Sequence, residues 1–293
     1  MSGMAPTDPL ERRPLKPADS ARALLLSQEA AWNQTEQDWR LMIRLGEAVG
    51  MWTPEERLVA TALMLPFGAP FAWISMVIVA RDHRHRGIAT DLLQHCQQRL
   101  REKGLVAGLD ATEAGRPVYL PLGFQDVYPL TRMFRKTAVS PVEPVAPPAG
   151  TEIVPMKRED LAGVCAFDRS GFGGDRSAIL RHLWERRPGI AHVARQGGSL
   201  VGYVLGRDGR EAAYVGPLLA KSADVAVVLA DRALAVLSEP AFMDVPDAQA
   251  PLLGWLAERG FIRQRGYSRM YDGRSRPFDT PELVFAIAGP ELG

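Results

Sequence analysis

Cysteine is nearly missing from this 293-residue chain, and the two present, Cys96 and Cys165, are far apart in sequence. That excludes the C-x-x-C spacing of a metal site and the density of a disulfide-stapled secreted scaffold, so reduced, buried thiols and no metal centre are expected. An excess of one charge sign is also missing. Against a formal net charge of +1, there is no chain-wide basic field of the kind that carries a protein onto nucleic acid, and any basic site must be local. No run approaches the roughly 18 apolar residues of a membrane span. The opening MSGMAPTDPLERRPLKPADS has no apolar signal core. A cytoplasmic protein without nucleic-acid or membrane partners is the expectation, and a homodimer is compatible with it. Acidic runs are absent too, which gives no sign of a long groove for basic peptides.

What is present is alternation. ADSARALLLSQEAAW reads as a helix with Asp19 or Ser20 as N-cap, and TEQDWRLMIRLG as a second helix stopped by Gly46. AVGMW and RLVATALML read as strands around TPEE, and FAWISMVIVA as a longer, β-branched strand buried on both faces. From Gly87, the apolar residues Ile88, Leu92, Leu93, Cys96 and Leu100 follow a helical stripe up to Gly104. A strand LVAGLDAT, a short helix around GRPVYLPL and a strand VYPLTRMFRK follow. TAVSPVEPVAPPAG, with four prolines and no period, then reads as a linker. The expected division is 1–138, a linker at 139–150, and 151–293.

The two halves are related. Gly123, Phe124, Arg132 and Met133 match Gly260, Phe261, Arg269 and Met270, each 137 residues on. Four matches at one offset, behind similar helix and strand patterns, imply two related α/β domains.

One short segment concentrates charge. RDHRHRG, residues 81–87, puts five basic side chains in seven positions between a buried strand and a helix. Helix starts carry unsatisfied N–H groups and partial positive charge, glycine admits a ligand to the main chain, and arginines clamp phosphate oxygens. A solvated basic helix start would show the same residues. No Gly-Lys-Ser/Thr follows, so this is not a Walker loop, and it is not G-x-G-x-x-G either. Arg84-His85-Arg86-Gly87-Ile88-Ala89 fits R-x-x-G-x-G/A. With Tyr119 four residues ahead of Gly123-Phe124, and with AWNQTEQDW, WISMVIV and LDATEAGRPVY, the chain resembles the GNAT acetyltransferases. The likeness is to a bacterial two-domain type whose C-terminal half is divergent, and it runs from about residue 20 to the end.

The resemblance implies an α/β (α+β) fold of tandem GNAT-like domains, each a mixed, mostly antiparallel sheet flanked by helices. It implies acetyl-CoA as co-substrate and a small-molecule primary amine as acceptor, joined by direct attack in a ternary complex. A CoA-binding sensor or scaffold without chemistry, and a protein-lysine acetyltransferase, are the other readings. Val77, Ile78 and Val79 would offer main-chain bonds to the pantetheine arm, with the Val77 N–H facing the developing oxyanion. Arg84, His85, Arg86, Gly87, Ile88, Ala89 and Thr90 would hold the pyrophosphate. Tyr119, a phenol of pKa about 10 against about 8.5 for a thiol, would protonate the leaving thiolate or else be core. Asp110 is a candidate general base or a turn ligand. Asn33 and Gln34 would contact the acceptor or cap a helix, with Trp73 and Met76 as apolar lining. Asp168 and Arg176, at the ends of DRSGFGGDR, would lie on a loop that closes over the acceptor or is simply solvated. At the 137-residue offset, Arg84, Gly87 and Tyr119 become Lys221, Asp224 and Leu256, so the second half is expected to keep the fold without binding CoA. A fragment ending near Ala149 is accordingly expected to keep CoA binding.

Overall fold

The computed structural model describes residues 9–137 and 143–293; part of the linker expected at 139–150 lies outside them. A strand not foreseen in the sequence, β1 (Glu11–Pro14), precedes α1 (Ser20–Glu29) and α2 (Glu36–Leu45). Thr35 starts α2 with a reciprocal cap: its hydroxyl accepts from the Asp38 N–H and the Asp38 carboxylate accepts from the Thr35 N–H. Then come β2 (Glu47–Trp52), β3 (Leu58–Pro66), β4 (Phe71–Val79), α3 (Ile88–Glu102), β5 (Val106–Thr112), α4 (Arg116–Tyr119) and β6 (Phe124–Arg135). The second half runs β7 (Thr151–Pro155), α5 (Leu161–Phe172), α6 (Ser177–Arg186), β8 (His192–Gln196), β9 (Ser199–Arg207) and β10 (Ala213–Ala220). It ends with α7 (Ala223–Ala235), β11 (Ala241–Pro246), α8 (Ala250–Glu258), β12 (Ile262–Asp272) and β13 (Val284–Ala286).

The strands form one continuous sheet in the order β1-β2-β3-β4-β5-β12-β6-β11-β10-β9-β8-β7, with β13 on β10. Pairing is antiparallel except at β4–β5 and β10–β11, one parallel pair in each half. The halves exchange strands: β12 sits between β5 and β6, and β6 sits between β12 and β11. The exchanged strands are the ones that carry the 137-residue repeat. Each brings an arginine directly opposite an aspartate of the other half, Arg132 opposite Asp244 and Arg269 opposite Asp110. Arg132 donates to both Asp244 oxygens at 2.7 and 2.6 Å; Arg269 donates to both Asp110 oxygens at 2.9 and 3.0 Å and to Asp279 at 2.7 Å.

These buried forks and the shared strands tie the halves together. A fragment ending near Ala149 would lack the strand that fills the gap between β5 and β6, so the separability expected from the sequence does not follow. Past the undescribed residues the linker is anchored: the Val145 N–H donates to Asp231 on α7 at 3.1 Å, and Arg232 donates to the Val145 carbonyl. Cys96 is buried in α3, where desolvation pushes its thiol up to about 12, and Cys165 is half-buried; both are free. Among the described residues, no helix is long and apolar enough to cross a membrane and no cluster suits a metal ion.

Candidate functional site

The eight residues between β4 and α3, 80–87, form a short helical turn at Arg81–His83 and then a tight corner, with His85 at φ 62° and Gly87 at φ 77°. Part of the basic cluster is used to build this corner. Asp82 accepts from both ends of Arg57 and lies 2.8 Å from His83 Nδ1, and those bonds hold its carboxyl well below the usual range. The Arg81 N–H donates to Glu29 at 2.5 Å and its guanidinium to the Glu29 carbonyl at 2.8 Å. Arg84 folds back, its Nε donating to the Val79 carbonyl at 3.0 Å. His85 and Arg86 project at the surface, and the space that a Cβ on Gly87 would enter is open. The start of a 15-residue helix is thus left bare of its own side chains.

That helix start faces a gap in the sheet. β4 and β5 pair only from Phe71 to Trp73 and from Val106 to Gly108, then diverge. On the other edge of β4, pairing with β3 slips between Ser75 and Ile78. The slip is a bulge at Met76, whose φ is 53° and whose carbonyl accepts from the Thr61 hydroxyl at 2.8 Å. A cleft of about 570 Å³ occupies the gap, within the usual range of a small-molecule site. Met76, Val77, Ile78 and Val79 line it, as do Arg84, His85, Gly87, Ile88, Ala89 and Thr90. Tyr119, Asp110, Asn33 and Gln34 reach it as well.

Arg86, Trp73, Asp168 and Arg176 are not among the cleft residues. Arg86 points to solvent. Trp73 is fully buried, its Nε1 donating to the Pro290 carbonyl at 2.9 Å and its ring under the Arg269 guanidinium. Asp168 belongs to α5 rather than to a loop, and Arg176 donates to both its oxygens and to the Gly293 carbonyl. The glycines between them are there for close packing: a Cβ on Gly173 would lie 2.1 Å from the Phe278 carbonyl.

Asp110 and Asn33 line the cleft but are already engaged. Both Asp110 oxygens accept from Arg269, and burial still pushes the carboxyl up to about 6. The Asn33 amide donates to the Ala212 carbonyl at 3.0 Å and its oxygen accepts from the Glu211 and Ala212 N–H groups. It fastens the α1–α2 connection to the second half. Gln34 is different: its Oε1 is buried without a partner among the described residues, and so is the hydroxyl of Ser75. Both side chains are more than nine-tenths buried at the cleft. Buried polar atoms without partners are uncommon and point to a group that arrives with a ligand.

The second half completes this end with Arg265 and Tyr267 of β12 and with Pro290 and Glu291 of the C-terminal segment. The sequence pattern singles out none of these, and Ser75, though inside WISMVIV, carries no signal of its own there. Glu291 pairs with Arg207, and burial raises its carboxyl above the ordinary range. Arg207 also faces Asp38 and stacks on Tyr214, whose hydroxyl donates to Asp244, the partner of Arg132. One polar chain therefore runs from the Gln34 connection through the tail to β6. Tyr119 lines the cleft as well, packed over Gly115; a Cβ there would meet the phenol oxygen at 3.0 Å. Burial alone raises its hydroxyl to about 12.

The second half holds no matching loop. β10 and α7 are joined by Lys221 and Ser222 alone, with the Ser222 hydroxyl accepting from the Val225 N–H. The structural counterpart of Gly87 is this cap rather than Asp224, because the connection is six residues shorter than its mate at 80–87. The helix start that would meet a phosphate is closed by its own serine.

Two family models match the chain: one described as the acetyltransferase (GNAT) family over residues 19–124, the other as an acetyltransferase (GNAT) domain over residues 164–286. The chain is 26% identical over 271 residues to the uncharacterized N-acetyltransferase YitH of Bacillus subtilis, covering 92% of this chain and 94% of that one. In fold it is similar to a provisionally named acetyltransferase of Pyrococcus horikoshii, with a TM-score of 0.77 at 19% identity over 100% and 99% of the two chains. It is also similar to a tandem GNAT protein of the clavulanic acid biosynthesis pathway, with a TM-score of 0.63 at 17% identity over 90% and 98%.

Proposed function

Since this chain belongs to the GNAT acetyltransferases, a family of acyltransferases, and carries one such domain in each half, we propose that it transfers the acetyl group of acetyl-CoA to the primary amine of a small molecule bound where the halves meet. The observation that carries this reading is the bare helix start at 84–90 opening onto the divergence of β4 and β5. Main-chain N–H groups from His85 to Thr90 suit a pyrophosphate, and Arg84 can turn outward to it. The unpaired edge of β4 at Val77 to Val79 suits an extended amide-bearing arm.

Acetyl-CoA supplies an activated acetyl thioester. The chain's residues then have three tasks. The Val77 N–H, turned by the bulge at Met76, stabilises charge on the carbonyl oxygen. The acceptor nitrogen forms the new C–N bond as the C–S bond breaks, and Tyr119 gives its proton to the departing sulfur. Asp110 is unsuited to taking the amine proton because both its oxygens are held by Arg269. Glu291, whose carboxyl burial raises above the ordinary carboxylate range and of which Arg207 holds one oxygen, is the cleft carboxylate left to take the amine proton.

The reading is tested by following CoA release from acetyl-CoA over small amines and lysine-bearing peptides. Small amines are expected to be acetylated and peptides not. Gly87→Glu, which puts a bulky anion at φ 77° in the open loop, is expected to weaken acetyl-CoA binding at least tenfold with the fold intact by circular dichroism. Peptide-only transfer, or unchanged affinity in this variant, would contradict the reading.

A further inference from the structure

The cleft carries an unbalanced charge. Arg265 on β12 and Arg132 on β6 are direct cross-strand partners, and both line the cleft. Like charges placed opposite one another on a sheet repel and are kept only with compensation. Arg132 is compensated by its fork to Asp244. Arg265 pairs with no carboxylate among the described residues; Glu113 sits against Gly266, on the other face of the strand. The two acidic residues among those that line the cleft, Asp110 and Glu291, are each paired with a buried arginine, Arg269 and Arg207. Arg265 is half-buried, and a planar guanidinium in that position is suited to a two-pronged grip on a carboxylate.

In the same cleft, the features complementary to an amine are all acceptors: the unpartnered Gln34 Oε1, the unpartnered Ser75 hydroxyl oxygen, and the Glu291 carboxylate. Contacts already described link the segments that carry them. Pro290 is tied to Trp73, two residues before Ser75, and Glu291 reaches the Gln34 connection through Arg207 and Asp38. From Glu291, the chain Arg207, Tyr214, Asp244, Arg132 leads to Arg265.

We infer that the acceptor is an amino carboxylate, its carboxylate gripped by Arg265 and its amine held against Gln34 and Ser75. This rests on the acetyltransferase reading and names the substrate class of the same site. A neutral or polycationic amine would leave Arg265 uncompensated, and a polyamine would be repelled by it.

The test compares the twenty common amino acids with their carboxamides and with the corresponding decarboxylated amines, in acetyl-CoA turnover and in calorimetric titration of the CoA-loaded protein. At least one amino acid is expected to bind and turn over with kcat/KM tenfold or more above its carboxamide. Arg265→Gln should raise KM for that amino acid at least tenfold and abolish the preference, while KM for acetyl-CoA stays the same. Arg265→Lys should restore part of it. A higher KM for acetyl-CoA in Arg265→Gln would assign the arginine to a CoA phosphate and overturn the inference while leaving acetyl transfer standing. So would better turnover of amines that lack a carboxylate, or an absence of binding and turnover by every amino acid. Failure of the wild-type protein to bind acetyl-CoA at all would overturn the acetyltransferase reading and this inference with it.

Discussion

Replacing Tyr119 with phenylalanine is expected to lower kcat by about 10²-fold or more, the usual scale for loss of a general acid, and to leave the affinity for acetyl-CoA little changed. The hydroxyl is raised to about 12 by burial, so it holds its proton at every working pH. The same dry wall disfavours a thiolate, which makes proton transfer at departure more valuable than it would be in water. The ring is located by Gly115 beneath it and Phe124 beside it, with ring centroids 6.0 Å apart, and phenylalanine keeps both contacts. A pH profile separates acid from packing: no alkaline limb below about pH 10 should depend on Tyr119. Unchanged turnover in the variant, with chemistry shown to limit the rate, would make the residue part of the core only.

Arg269→Leu is expected to destabilise the whole chain by about 3–5 kcal/mol, the scale for removing one partner of a buried ion pair. It strands two carboxylates, Asp110 and Asp279. The direction with pH follows from Asp110. Its folded-state value is raised to about 6 even with Arg269 present, so the group favours the folded state below the unfolded value near 4 and loses that contribution as pH rises through about 6. Without Arg269 the value rises further. The deficit of the variant should therefore be smaller at pH 5 than at pH 8 in urea unfolding. Asp110→Asn in the same chain should recover part of it, and a single unfolding transition is expected because both halves share the strand pair. A deficit below 1 kcal/mol, or independent unfolding of the halves, would contradict this account of the exchanged strands.

Much of this architecture was legible in the sequence because it is local. The corner at 81–87, the stripe of α3 and the alternation of strands and helices each rest on neighbours along the chain. The strand exchange was not legible: β6 and β12 carry the same pattern, so either fits either slot, and only the forks at Asp110 and Asp244 reveal which slot each fills. Asn33 and Gln34 looked alike as a polar pair, but one is consumed by the backbone at 211–212 and the other is left open. DRSGFGGDR read as a loop, closing over the acceptor or solvated, because glycine usually marks one; here glycine lets α5 approach Phe278. Ser75, Arg265 and Glu291 carry no motif, and they meet only because β12 and the C-terminal segment return to the first half. The fixed offset of 137 also misplaced the counterpart of Gly87, since the shortened connection at Lys221–Ser222 shifts the register.

The central claim is that one half grips acetyl-CoA and the other has lost the loop to do so. Calorimetric titration of the full chain with acetyl-CoA measures this directly. One site per chain, abolished or weakened at least tenfold by Gly87→Glu and unaffected by Ser222→Glu at the equivalent cap of α7, is the predicted result. Two sites per chain, or one site sensitive to Ser222→Glu and indifferent to Gly87→Glu, would contradict it.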